Sequence, residues 1–148
     1  MGDSYLPSEI NAAYLWAQLQ KADEINQNRL ETWQTYYDAL KPFADNEKVE
    51  LPQIPAECKH NAHMFYLKLK NLDERTKFIN YMKGKNVSCV FHYVPLHSAP
   101  AGKKYCRFHG EDKFTTRESD RLVRLPLYYG MDKNDLSYII KNVKDFFS

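Results

Sequence analysis

The segment Phe91-His92-Tyr93-Val94-Pro95-Leu96-His97 places two imidazoles and a phenol close together at the end of an apolar run. Proline has no N–H to give to a sheet, so the strand stops there, and strand ends that open into loops often present ligand-binding groups. Imidazole and phenol both donate and accept hydrogen bonds. Lys103, Lys104 and Arg107 follow in the loop and would give an anionic ligand a favourable potential. A capped core strand followed by a solvated basic loop would carry the same residues, so residue types alone leave both readings open.

Other chemistry finds less support. His60 and His63 could be read as a His-x-x-His metal pair. On an extended lead-in to a strand, that odd spacing sends the two rings to opposite faces. Only Cys58 stands near them as a further ligand, so no metal site is expected. The five glycines are scattered and build no phosphate loop. Residue types alone leave a Ser–His or Cys–His arrangement open, but no nucleophile-elbow sequence accompanies one.

The elements that must position these groups follow from periodicity. Residues 7–41 read as helix, with Pro7 suited to the first turn, Glu9 near the amino end and Pro42 as the first interruption. Between Ile10 and Leu19 only Asn11 and Gln18 are polar, whereas Leu30, Trp33, Tyr37 and Leu40 form a one-sided stripe. The polar stretch from Lys21 to Arg29 is a place for a break or kink. A helix apolar all round must be covered on all sides. Either it is the central core helix of this domain, or a partner or further domain covers it. With a mean hydropathy of −0.66 the rest of the chain has few spare apolar faces, which favours the partner.

After a connector stiffened by Pro52 and Pro55, His63, Phe65, Leu67 and Leu69 alternate with Met64, Tyr66, Lys68 and Lys70, a period-two strand. Asp73 is placed to cap the next helix, with Phe78, Ile79 and Met82 as its buried stripe and Gly84 as its left-handed end. Val87 to Val94 is apolar on both faces except at Ser88 and His92 and reads as a central strand. Thr115-Thr116-Arg117-Glu118 has the form of a capping box opening a short helix. Arg121 to Leu127 reads as a short strand. The last helix is capped by Asp132, with Met131 stapled to Leu136 and a stripe of Leu136, Ile139, Ile140, Val143, Phe146 and Phe147. The order implies an α+β fold: a long N-terminal helix, then a small three-stranded sheet packed with helices. If the two longer strands run parallel through their helical crossover, the third pairs antiparallel with one of them.

Composition sets the outer bounds. The 148 residues are the size of one domain, 1–148, and need no disulfide or metal staple. A net charge of +2 does not suggest a nucleic-acid binder. No apolar run approaches the roughly 18–20 residues of a membrane span, and the first residues do not read as a signal peptide. Cys58, Cys89 and Cys106 are odd in number with no C-x-x-C pair, which suggests free thiols in a reducing, cytoplasmic compartment.

His92-Tyr93-Val94-Pro95-Leu96-His97 resembles the H-Y-x-P-L-H motif of the DegT/DnrJ/EryC1/StrS sugar aminotransferases. Gly2-Asp3-Ser4-Tyr5-Leu6-Pro7-Ser8-Glu9-Ile10-Asn11-Ala12-Ala13 resembles that family's G-x-(N/S)-Y-x-x-x-E-x-x-A-A segment, followed by Gln18-Leu19. His63-Met64-Phe65-Tyr66 and Leu125-Pro126-Leu127 are similar in place and sequence, so the likeness runs through the whole chain. Asn61-Ala62, Pro100-Ala101-Gly102 and Phe108-His109-Gly110-Glu111-Asp112 are most similar to the branch that makes dTDP-4-amino-4,6-dideoxygalactose.

The resemblance implies the C-terminal small domain of a fold-type I, pyridoxal 5'-phosphate-dependent enzyme. That enzyme would move an amino group from glutamate to C4 of dTDP-4-oxo-6-deoxyglucose. The product would serve surface polysaccharide synthesis of the enterobacterial common antigen or lipopolysaccharide type. The family's Schiff-base lysine precedes the segment matched by Gly2–Ala13, so no catalytic residue is expected in this chain and the cofactor is not expected on it alone. By the same resemblance Ser4 would lie near the cofactor phosphate across a homodimer interface. His92, Tyr93 and His97 would line the sugar-nucleotide end of the site. The apolar start of the first helix would then be covered by the large domain and the second subunit.

Overall fold

The computed structural model describes residues 6–148; Ser4 lies outside the described residues. The helix expected over 7–41 is two helices, α1 (Glu9–Leu19) and α2 (Ala22–Asp45). Ser8 caps α1 by accepting the Asn11 N–H at 3.3 Å, so Pro7 stands outside the helix rather than in its first turn. The break falls at Gln20 and Lys21, where no side chain caps the new helix. Pro42 does not end α2, because a proline in the last turn frees only the carbonyl of exposed Asp38, which water can reach. Asn46 closes this end by donating to the Pro42 carbonyl at 2.7 Å. The buried stripe of α2 is Thr32, Trp33, Tyr36 and Leu40. Tyr36 replaces the expected Tyr37 at its centre, since its hydroxyl donates to the Pro126 carbonyl at 2.9 Å while its ring stacks on Phe65.

The sheet comprises β1 (Phe65–Lys68), β2 (Val90–Phe91) and β3 (Leu122–Leu125) in the order β1-β3-β2. Both outer strands pair antiparallel with β3, so β1 and β2 run parallel to each other with β3 between them. The apolar stretch 87–94 is thus a two-residue edge strand and not a central one. Val87 is taken up by the turn after the preceding helix, donating to the Met82 carbonyl, and Tyr93 turns the chain away at φ 55°. The short strand read from Arg121 to Leu127 takes the centre because both its edges find partners. In β1 the alternation holds: Phe65 and Leu67 are buried, Tyr66 and Lys68 half-exposed. His63 precedes the strand and is exposed.

Helix α3 (Leu72–Gly84) is capped by Asn71, which accepts the Glu74 N–H at 3.0 Å; Asp73 lies in the first turn instead. Gly84 stays helical and the left-handed residue is Asn86, φ 58°, a residue type that tolerates this conformation. The two short helices are α4 (Pro100–Tyr105) and α5 (Thr115–Arg121). α5 opens where expected but without a capping box: Thr116 gives its N–H and hydroxyl to Asp112, and Glu118 pairs with Lys68 at 2.8 Å. The last helix, α6 (Lys133–Phe147), has the expected cap, Asp132 accepting the Asn134 and Asp135 N–H groups. Leu136, Ile139, Val143 and Phe147 are buried on it, Ile140 and Phe146 half-buried, and Met131 is buried just before it.

Helices α2, α3 and α6 meet over one face of the sheet, where Phe65, Leu67, Val123 and Leu125 join Phe78, Met82 and Val143 in a single core. The opposite face carries the row Tyr66, Arg124, Val90. Helix α1 contributes nothing to this core: Ile10, Tyr14, Leu15, Trp16 and Leu19 are each 57–81% exposed. The alternative of a central core helix is therefore excluded, and none of the described residues covers this apolar surface. All three cysteines are free, and burial pushes the Cys89 thiol up to about 12. Among the described residues no helix is long and apolar enough to cross a membrane.

Candidate functional site

Where β2 ends, the chain has to leave the sheet, and Tyr93 does so in the left-handed region. Ser119 of α5 holds that turn by donating to the Tyr93 carbonyl at 2.8 Å. The His92 ring lies 4.6 Å from the Tyr93 ring, and the Arg124 guanidinium lies over that same ring at 5.9 Å. His92 Nδ1 and Arg124 Nε are both buried atoms without a hydrogen-bond partner. A pocket of about 190 Å³ beside Arg124 is lined by His63, Ser88 and Val90.

The second half of the segment goes elsewhere. The Pro95 carbonyl accepts the Ser98 and Ala99 N–H groups and the Ser98 hydroxyl, which folds the chain into a tight turn before α4. His97 packs on Phe108 with ring centres 4.5 Å apart, and its Nε2 is 2.8 Å from Asp112 Oδ2. Thr116 Oγ1 is 3.4 Å from the same ring nitrogen and donates to Asp112. A cleft of about 480 Å³, walled by Leu96, Tyr105 and Phe108, opens beside His97. Of the basic loop residues, Arg107 lines that cleft, while Lys104 lies over the Tyr105 ring.

The structure therefore brings His92 and Tyr93 together and ties His97 to Asp112 and Thr116. Asp112, Thr116 and Arg124 are the polar residues that sequence reasoning missed. Arg124 had one legible signal, a charge at an alternate strand position where its neighbours Val123 and Leu125 are buried. Asp112 had none, because its link to His97 depends on the path of the intervening loop.

The Thr116 hydroxyl, then the Thr116 N–H and the His97 ring, hold the Asp112 carboxyl below the usual carboxylate range. A lowered folded value means that this cluster's contribution to stability is present above about pH 3.9, the ordinary Asp value. It is lost as pH falls through the folded value. The Thr116 amide resonance is expected to follow Asp112 with a midpoint below the ordinary range. A midpoint at or above that range would contradict the arrangement.

Residues 1–144 match the profile of the DegT/DnrJ/EryC1/StrS aminotransferase family. The chain belongs to that family. Within it, the chain is 31% identical over 153 aligned positions to uncharacterized protein MJ1066 of Methanocaldococcus jannaschii, a match covering 99% of the chain and 38% of the relative. It is 26% identical to the dTDP-3-amino-3,6-dideoxy-alpha-D-galactopyranose transaminase of Aneurinibacillus thermoaerophilus, covering 93% of the chain and 36% of that enzyme. The chain thus spans well under half the length of these DegT-family relatives.

The fold agrees with the family. PseC of Helicobacter pylori, an aminotransferase of pseudoaminic acid biosynthesis, superposes with a TM-score of 0.82 at 18% identity, over 99% of this chain and 39% of that one. The putative sugar aminotransferase Spr1654 of Streptococcus pneumoniae, solved in its PLP form, gives 0.72 at 19% identity, over 89% and 33%. The α+β arrangement expected of a small domain of the fold-type I enzymes is the one found. Every lysine is exposed except Lys68 and Lys144, which are half-buried, and Lys68 is paired with Glu118.

Proposed function

We propose that residues 1–148 are the carboxy-terminal small domain of a pyridoxal-phosphate-dependent nucleotide-sugar aminotransferase. The parent enzyme would aminate C4 of dTDP-4-oxo-6-deoxyglucose at the expense of glutamate, giving dTDP-4-amino-4,6-dideoxygalactose for surface polysaccharide. The observation that carries the reading is the family match along residues 1–144 by a chain that spans only 36–38% of its relatives. The cofactor would supply the electron sink for amino transfer, on a lysine and a large domain beyond this chain.

In this reading the described residues bind and orient the substrate. His92, Tyr93 and His97 offer hydrogen bonds to sugar hydroxyls and diphosphate oxygens. Asp112 fixes which His97 nitrogen faces the protein, leaving the other for a ligand. Ser4 would reach the cofactor phosphate of a second subunit. The bare apolar face of α1 is the surface that the large domain and the homodimer partner would cover, because a continuous apolar patch of this kind rarely stays in water. The compartment would be the cytoplasm.

The relative that forms a 3-amino sugar favours a second reading, in which the same architecture aminates another ring carbon or nucleotide sugar. Product analysis separates the two. Incubated with dTDP-4-oxo-6-deoxyglucose and glutamate, the full-length enzyme is expected to give the 4-amino sugar; a product aminated elsewhere, or none, would replace this reading by the second. The 148-residue chain alone is expected to show no turnover. Added pyridoxal phosphate is expected to give only the absorbance of the free compound, with no single lysine labelled on borohydride treatment. Stoichiometric labelling of one lysine with turnover would overturn the small-domain assignment.

A further inference from the structure

We propose that the cleft beside α4 is a docking surface for an anionic lipid membrane. Its apolar side chains would enter the headgroup layer, with Lys103, Lys104 and Arg107 against the negative lipids. The inference goes beyond the aminotransferase reading and does not depend on it.

The apolar half of this surface is made by folding. The turn at Pro95 brings Leu96 against Gly102 of α4, so that Leu96, Ala99, Ala101, Tyr105 and Phe108 wall one cleft of about 480 Å³. Leu96 is 87% exposed and Tyr105 74%. Large side chains left bare around one cleft mark a surface that meets something other than water.

The other half is charge. Lys103 and Lys104 are exposed on α4, and Arg107 lines the cleft. The Lys104 ammonium stands over the Tyr105 ring at 4.9 Å, which puts a cation and an aromatic body in one place. The same combination recurs at the start of α5, where Arg117 lies over the exposed Phe114 ring. Among the described residues no carboxylate pairs with Lys103, Lys104 or Arg107. Of the acidic groups next in the chain, Glu111 pairs with Lys113 and Asp112 with His97.

This mixture decides the partner. The bare face of α1 carries no cation, its only charge being Glu9, and suits a protein cover. The buried centre of a protein interface is depleted of lysine, whose ammonium is costly to dehydrate. At a lipid surface that conflict disappears. Aromatic rings settle at headgroup level, while lysine and arginine stay hydrated beside negative lipids. A bare apolar cleft flanked by unpaired cations is therefore matched by an anionic bilayer.

Vesicle sedimentation tests the proposal. The 148-residue chain and the full-length enzyme are both expected to sediment with phosphatidylcholine vesicles that contain phosphatidylglycerol, and not with phosphatidylcholine alone. Lys103→Gln/Lys104→Gln/Arg107→Gln should weaken binding roughly a hundred-fold, from about five-fold for each charge near the surface. Leu96→Ser/Tyr105→Ser should weaken it about ten-fold or more, the scale of withdrawing one large apolar side chain. All five positions are exposed, so both variants should melt as the parent does. Trp16→Ser/Leu19→Ser, on α1, should leave the requirement for anionic lipid intact.

Equal binding to neutral vesicles, or binding lost only in the α1 variant, would assign the effect to α1 and overturn the inference. Binding by the 148-residue chain but not by the full-length enzyme would also overturn it, since the rest of the enzyme would then cover the cleft. A loss with the charge variant alone would reduce the contact to electrostatics and remove the apolar docking. Self-association that Leu96→Ser/Tyr105→Ser abolishes, without vesicle binding, would replace the membrane by a second copy of this chain. The C4 product assay is independent of all these outcomes.

Discussion

Phe78→Ala is expected to lower the unfolding free energy by about 3–5 kcal/mol, with a fall in Tm of roughly 10 °C. Phe78 is fully buried on α3, where Met82 of the same helix is also buried. Its ring meets Phe146 edge-on at 5.1 Å and stacks on Phe147 at 5.9 Å, so it joins α3 to the end of α6. Truncation removes the apolar burial, opens a cavity between two helices and takes away two aromatic contacts. The loss is large against the roughly 5–15 kcal/mol that hold a typical domain together. Urea melts of the two proteins check it, and a change below about 1 kcal/mol would mean that α6 closes over the gap or does not pack as described.

Gly102→Ala is expected to act on the site more than on the fold. A Cβ at this position would stand 1.7 Å from the Leu96 carbonyl oxygen and 2.8 Å from its carbon, a collision with backbone that no rotamer relieves. Either α4 or the turn at Pro95 must move. Both lie at the surface, so the stability cost is set by local rearrangement, about 1–3 kcal/mol on the scale of overpacking. The displaced residue is next to His97. The His97–Asp112 pair, 2.8 Å long in the native turn, is therefore expected to open, and the depression of the Asp112 carboxyl to shrink with it. An NMR titration of Gly102→Ala should move the Thr116 amide midpoint up toward the ordinary carboxylate range. An unchanged midpoint would show that the turn absorbs the methyl group without disturbing His97.

These two positions differ in how far they were legible. Phe78 belongs to the stripe Phe78, Ile79, Met82, whose spacing by itself marks a buried helical face. Gly102 carries no such mark, because its need for a missing side chain comes from Leu96, brought against it by the turn at Pro95. The same division runs through the candidate site. The run from His92 to His97 stands out as a cluster of polar rings, yet it reads as one site. Folding divides it into a pair beside Arg124 and a pair with Asp112, because Tyr93 turns out of the sheet and Pro95 folds the chain back.

Amino-acid order alone determined the features that rest on local periodicity and local hydrogen bonds. These are the alternation of Phe65 and Leu67 with Tyr66 and Lys68, and the stripe and Asp132 cap of α6. Each is decided within a few residues, where backbone geometry dictates which side chains share a face. Tertiary structure decided the strand order, the edge position of Val90–Phe91 and the central one of β3. It also decided the partners of His97 and the isolation of Arg124. An apolar stretch is compatible with a central strand or with an edge under a cover, and a charge carries no mark of its distant partner. Those choices depend on which segments the loops bring together, and distance along the chain does not encode that.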